Sequence, residues 1–164
     1  MVSKALFLML TFSLAASLTA FGQDKAKGDP RVTQQLDRMG IHYSITESGN
    51  YSMKYDLDGD RTQTVYIMGQ TEKYKNTEIR ELWSRAGTFD SVPSADVMRK
   101  LLEESGTKEI GFWGLEETDD GSYIVYFSVK VPVYLRDSDL SSLLELTANV
   151  TDQKEAELFN DDQE

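Results

Sequence analysis

Residues 110–131 read IGFWGLEETDDGSYIVYFSVKV. Their reading decides the fold. Residues 122–131 alternate: Tyr123, Val125, Phe127, Val129 and Val131 face one way, and Ile124 and Tyr126 the other. That is a period-two strand rich in β-branched and aromatic residues. Pro132 stops it. A second strand over 109–116 carries Ile110, Phe112, Trp113 and Leu115, and Asp119-Asp120-Gly121 forms a tight turn between the two. Strands joined by so short a turn run antiparallel.

The chain N-terminal to this hairpin repeats the pattern. Tyr43 and Ile45 share one face of a strand over 42–46, and Ser48-Gly49-Asn50 makes a turn. Tyr51, Met53, Tyr55 and Leu57 alternate with Ser52, Lys54 and Asp56, giving a half-buried strand. After Asp58-Gly59-Asp60, residues 62–70 place Val65 and Ile67 on one face and Tyr66 and Met68 on the other. A polar connection over 71–76 leads to a fourth strand over 77–86 with Ile79, Leu82 and Trp83. Its Glu78–Trp83 segment also fits a helix, but Gly69 and Gly87 near the ends favour a hairpin.

Three helices punctuate the strands. Asp29 is an N-cap and Pro30 a first helical residue; Val32, Leu36 and Met39 follow at helical spacing, and Gly40 stands where a left-handed cap belongs. This predicts a helix over 30–39. Ser94 caps a second, with a stripe of Val97, Met98, Leu101 and Leu102, ended by Gly106. Asp137 or Ser138 opens a long third one, with Leu140, Leu143, Leu144, Ala148 and Val150 as its stripe and a continuation through Phe159. The order is α-β-β-β-β-α-β-β-α: an α+β architecture with a mainly antiparallel sheet of about six strands.

The chain has 164 residues, 17 Lys and Arg, 28 Asp and Glu, one His and no Cys. Its net charge of −11 argues against nucleic acid, which demands basic surface. Without cysteine there is no disulfide, no thiolate metal site and no cysteine nucleophile. Residues 1–22 read as a secretory signal peptide: Lys4 is the positive start, residues 5–18 are the apolar stretch, and Ala20 and Gly22 are small residues flanking a cleavage site. The apolar run is shorter than the ~20 residues that span a bilayer. Cleavage before Gln23 removes 22 of the 164 residues, leaving 142. It also removes Lys4 and no acid, so the charge becomes −12. The expected product is periplasmic or secreted, with no stable membrane insertion. Residues 23–29 read as a flexible leader, 30–159 as a single domain and 160–164 as an acidic tail.

Chemistry-bearing patterns are weak. The run from Asp56 to Asp60 resembles a calcium loop, but Arg61 stands where glycine is needed and Ile67 where a bidentate acid is needed, so a solvated turn is expected. His42 lies on the polar side of its strand, with no nucleophile-elbow serine in the chain. The carboxylate pairs Glu103-Glu104, Glu116-Glu117 and Asp119-Asp120 follow from composition, and no glycine-rich phosphate loop exists. No catalytic residue, metal or cofactor is expected.

The apolar residues say more. One set is Val65, Ile67, Phe112, Val125 and Phe127; the other is Tyr66, Met68, Trp113, Leu115, Ile124 and Tyr126. Either the three helices divide between the faces and bury both sets, or they cover one and leave the Tyr/Met/Trp set to a partner. The second set is the candidate protein-binding surface, for a homodimer or a client polypeptide.

The segment Leu36-Asp37-Arg38-Met39-Gly40-Ile41-His42-Tyr43, then Gly49-Asn50-Tyr51 and Tyr55, resembles the opening of the YbjN-like family, often labelled a bacterial sensory transduction regulator. Leu101-Leu102-Glu103-Glu104, the run from Gly111 to Glu116, Asp120-Gly121 and Val125-Tyr126-Phe127 fit its later part. The resemblance implies a fold like that of type III secretion chaperones, often dimeric and able to bind polypeptide, with no catalytic residues. The signal peptide departs from an intracellular role. The resulting expectation is an exported, non-enzymatic protein-interaction module that self-associates. The alternative is an envelope small-molecule or sensory binding module.

Overall fold

The structure, a computed structural model, describes residues 27–159. The stretch read as a signal peptide, most of the one read as a leader and the acidic residues 160–164 lie outside them. Helix α1 (Pro30–Met39) starts as its sequence dictates: the Asp29 side chain accepts the Arg31 backbone N–H at 2.9 Å. It ends at Gly40, whose φ of 66° is left-handed. The N–H groups of Gly40 and Ile41 fold back onto the carbonyls of Asp37 and Leu36, at 3.1 Å each. The leader is not free up to residue 29, because buried Arg80 holds the Asp29 carboxylate at 2.5 Å.

Seven strands form one antiparallel sheet: β1 (Ser44–Ile45), β2 (Tyr51–Asp56), β3 (Thr62–Ile67), β4 (Glu72–Tyr74), β5 (Thr77–Phe89), β6 (Phe112–Glu117) and β7 (Tyr123–Pro132). The order across it is β1-β2-β3-β5-β7-β6, with β4 pairing the start of β5. The fourth predicted strand is a strand and not a helix. It is 13 residues long, because both β3 and β7 pair along it. The stretch expected as a polar connection contains β4, whose Glu72, Lys73 and Tyr74 are all exposed and so leave no apolar pattern to read. The first strand shrinks to two exposed residues.

Helices α2 (Ala95–Ser105) and α3 (Asp137–Phe159) complete the fold. Helix α3 packs on β3, β5 and β7, and α2 on β6. Val32 of α1 meets Ile67, Leu82, Val131 and Leu140. Cross-strand partners share a face, and the pairs Ile67–Leu82, Leu82–Val129 and Ser84–Phe127 show that all these contacts fall on one side. The three helices therefore cover the same face. Between them and the sheet lie Leu36, Tyr51, Met53, Val65, Ile67, Leu82, Phe127 and Leu144, each at most 1% exposed. Each such side chain contributes roughly 1.5–3 kcal/mol by burial.

Helix α3 comes close to the sheet through small residues. Thr147, Ala148 and Thr151 are buried, and both hydroxyls donate to carbonyls four residues back, at 2.7 Å. Its last residue, Phe159, lies where a Cβ on Gly87 would sit, 2.0 Å from the ring, and meets the Phe89 ring at a tilt, centroids 4.9 Å apart. Gly87 has φ 151° beside a bulge in β5, a conformation and a space that no other residue type supplies.

Candidate functional site: the uncovered sheet face

Among the described residues no helix packs on the other side of the sheet. On β3, β5 and β7 that side presents Tyr66, Trp83 and Tyr126, joined through the pairs Tyr66–Trp83 and Arg85–Tyr126. Alternation on a strand places these rings, and it also places Ile79, Glu81 and Arg85 of β5 with Trp83. Tyr66 and Trp83 stack with centroids 4.6 Å apart and planes 16° from parallel. Tyr126 meets Trp83 edge-on at 6.0 Å. The Trp83 indole N–H donates to Met68 Sδ at 3.2 Å. The result is an aromatic row across three strands, half-buried by its own packing.

Gly114 of β6 lets the row extend toward the edge. It sits opposite Tyr126, and a Cβ there would lie 2.3 Å from the Tyr126 ring. The ring therefore lies across bare backbone. Beside it, Met68, Glu81, Trp83, Glu116 and Tyr126 line an open depression of about 270 Å³. Buried Ser128 donates to the Glu81 carboxylate at 2.5 Å, which orients that acid. Burial pushes the Tyr126 hydroxyl above its ordinary range, and the carboxylates of Glu81 and Glu116 push the same way. The phenol stays protonated and is a hydrogen-bond donor at neutral pH.

Of the residues predicted for this surface, Tyr66, Met68, Ile124 and Tyr126 come together here. Trp113 and Leu115 do not. Trp113 pairs with Phe127 and Leu115 with Val125, which puts both on the helix-covered face. Trp113 is 6% exposed, packs on Phe127 and donates its indole N–H to Glu104 at 3.1 Å. Phe112, expected in the core set, pairs with Ser128 and is 38% exposed on the open side. The expected grouping of Phe112 with Val125 and Phe127 requires an even number of loop residues between the strands. The loop has three, Asp119, Asp120 and Gly121, closed by Thr118 and Ser122. Residues facing each other then have the same parity, and every side chain of β6 changes sides. Asp120 holds this loop by accepting from the Thr118 hydroxyl and from the Ser122 N–H and hydroxyl; those bonds bring its carboxyl down to about 2.

Sequence reasoning missed Trp83 as the centre of the face. Ile79, Glu81 and Trp83 alternate with Arg80, Leu82 and Ser84, and each set mixes polar with apolar residues, so alternation alone does not mark Trp83.

The other candidates are dispersed. His42 is exposed ahead of β1, and the acids from Asp56 to Asp60 are exposed around a short turn. Among the described residues no group of three or more His, Cys, Asp or Glu is placed to hold a metal ion. Glu104 is engaged by nearly buried Lys154, at 2.6 Å, as well as by Trp113. Among the described residues no helix is long and apolar enough to cross a membrane.

No protein-family model and no curated protein sequence matches the chain. Its structure is similar to the crystal structure of YbjN from E. coli, proposed as a transcription regulator. The TM-score is 0.46 at 12% identity, over 76% of this chain and 83% of that one.

Proposed function

We propose that this chain is an exported, non-enzymatic protein-interaction module whose uncovered sheet face pairs with a second copy of itself. The observation that carries the reading is the packing of all three helices on one side of the sheet, with Tyr66, Met68, Trp83, Ile124 and Tyr126 left on the other. A contiguous patch of Tyr, Trp, Met and Ile has the composition of an interface core.

Charge supports a second copy. The whole chain is at −11, so two copies repel at long range. On the open face the charges come much closer to balance: Lys54, Arg85 and Lys130 stand against Asp56, Glu72, Glu81 and Glu116. A twofold axis sets such a patch against itself, so that each sign meets the other. The non-enzymatic reading rests on the dispersed titratable groups, with His42 alone at the surface and Glu104 committed to an ion pair. Export rests on residues 1–22.

The test is sedimentation equilibrium on the mature chain and on a Trp83→Ser/Tyr126→Ser variant. Twice the chain mass for the parent and the single-chain mass for the variant is the expected result. A parent that stays at single-chain mass at about 100 μM, where a Kd in the micromolar range would give dimer, sinks the self-pairing reading. An intact mass beginning at Gln23 in protein from the envelope fraction tests export.

A further inference from the structure

The two edges of the sheet differ. At one end β1 has two residues, too short to accept a partner strand. At the other, β6 has six. The Trp113 N–H turns outward from the sheet to the Ser105 hydroxyl of α2, at 2.8 Å. The Thr118 N–H turns inward to Ser122. Strand backbone alternates, so Leu115 and Glu117 aim their N–H and C=O groups outward with Trp113.

This edge is also apolar. Among the described residues eight large hydrophobic side chains are exposed, and four of them, Leu102, Ile110, Phe112 and Leu115, are on α2, β6 or the link between them. Met98, Leu101 and Leu102 of α2 and Trp113 and Leu115 of β6 line a groove of about 160 Å³. It runs on the helix side of the strand, where the next residue along is exposed Glu117.

We infer that the outer edge of β6 takes an extended polypeptide as an added strand, with an apolar side chain in the α2–β6 groove and a basic one two residues away, beside Glu117. Backbone bonds to Leu115 and Glu117 supply the attachment, and the groove supplies selectivity. Residues two apart on an added strand share a side, so Leu115 and Glu117 together read an apolar-x-basic pattern.

The charge around the edge selects the occupant. Glu116, Glu117, Asp119 and Asp120 follow one another along it. The two cations of α2 are already held, Arg99 by Asp96 and Glu103 and Lys100 by Glu157. A second copy would bring the same four acids to the same place, whereas a basic segment neutralises them. This surface is an edge, distinct from the aromatic face proposed for self-pairing.

The probe is the synthetic nonapeptide STKTLTKTS carrying fluorescein, which presents Lys-x-Leu-x-Lys in either strand direction. Binding is followed by fluorescence anisotropy. Saturable binding is expected, weakened about tenfold by Glu117→Lys and by Leu102→Asp. Both residues are exposed, so these variants keep the fold, which circular dichroism checks. A peptide with both lysines replaced by glutamate reverses the preference toward Glu117→Lys. N-methylation at the leucine and lysines, or at the threonines, removes binding in one of the two patterns. No saturation by about 1 mM, equal binding of both N-methylated peptides and the parent peptide, or indifference to Glu117→Lys overturns the inference. The Trp83→Ser/Tyr126→Ser variant should bind the peptide as the parent does. Loss of binding there alone would move the peptide to the aromatic face and also overturn it.

Discussion

Phe127 and Tyr126 follow one another on β7. Phe127 is wholly buried under the helices, while Tyr126 lies half-exposed on a face that no helix among the described residues reaches. The two faces are built from similar residue types but held differently. The covered face is closed by burial against α1, α2 and α3, with Gln63 and Ser84 hydrogen-bonded to each other at 2.8 Å inside it. The open face is held by ring-on-ring and ring-on-backbone contacts within the sheet. Large apolar residues alone do not mark a core. A face is a core only where another element covers it.

The largest expected effect that would break this contrast comes from truncating those two neighbours. Phe127→Ala should lower stability by about 3–5 kcal/mol, and Tyr126→Ala by roughly 1–2 kcal/mol, for the Trp83 pair and a ring only partly buried, by urea unfolding of the monomer. Equal losses would mean that the two faces are buried alike. Arg80→Ala should come close behind at about 3 kcal/mol or more, because it strips the buried partner from Asp29 and from the carbonyls of Met68 and Gly69.

The same network has a pH signature confined to the covered face. The Arg31 and Arg80 guanidiniums hold the Asp29 carboxyl well below the usual range. A lowered folded-state pKa stabilises fully above the unfolded value of about 3.9, and the gain is lost as pH falls through the folded one. Acid unfolding of Asp29→Asn should therefore show a shallower loss of stability below about pH 4 than the parent. An identical slope would remove Asp29 from the account.

Gly114→Ala sharpens the contrast from the open side. It should push the Tyr126 ring off the backbone and away from Trp83, at about 0.5–1.5 kcal/mol for a lost aromatic pair, with a change in Trp83 fluorescence. The smallest effect is expected from Arg99→Ala on the exposed side of α2. Its pairs with Asp96 and Glu103 are solvent-screened, and the change should stay within about 0.5 kcal/mol.

Much of the fold was legible from local pattern. The limits of α1 follow from Asp29, Pro30 and Gly40, and β2, β3 and β7 from clean alternation. The pattern failed where it carried no contrast. β4 is exposed throughout, and β6 has Phe112, Trp113 and Leu115 on both sides, so hydrophobicity could not say which side was inner. On α2 the four-residue stripe reads as buried, yet Leu102 is 71% exposed, because among the described residues that helix packs mainly on the edge strand β6. Of the candidate face, Tyr66, Met68, Ile124 and Tyr126 were readable. Trp83 required knowing that β5 lies between β3 and β7.

By itself the sequence determined where most strands, turns and helix caps fall, since capping, glycine conformation and period-two alternation act within a few residues. It also determined the acidic, cysteine-free chemistry that limits what the chain can do. Only the tertiary structure decided which side of the sheet is the inside. That choice depends on a three-residue loop setting the parity of β6 against β7, and on three helices returning to the same side. Both are long-range outcomes, because a face gains stability only from what packs on it, and the packing partners lie tens of residues away in the chain.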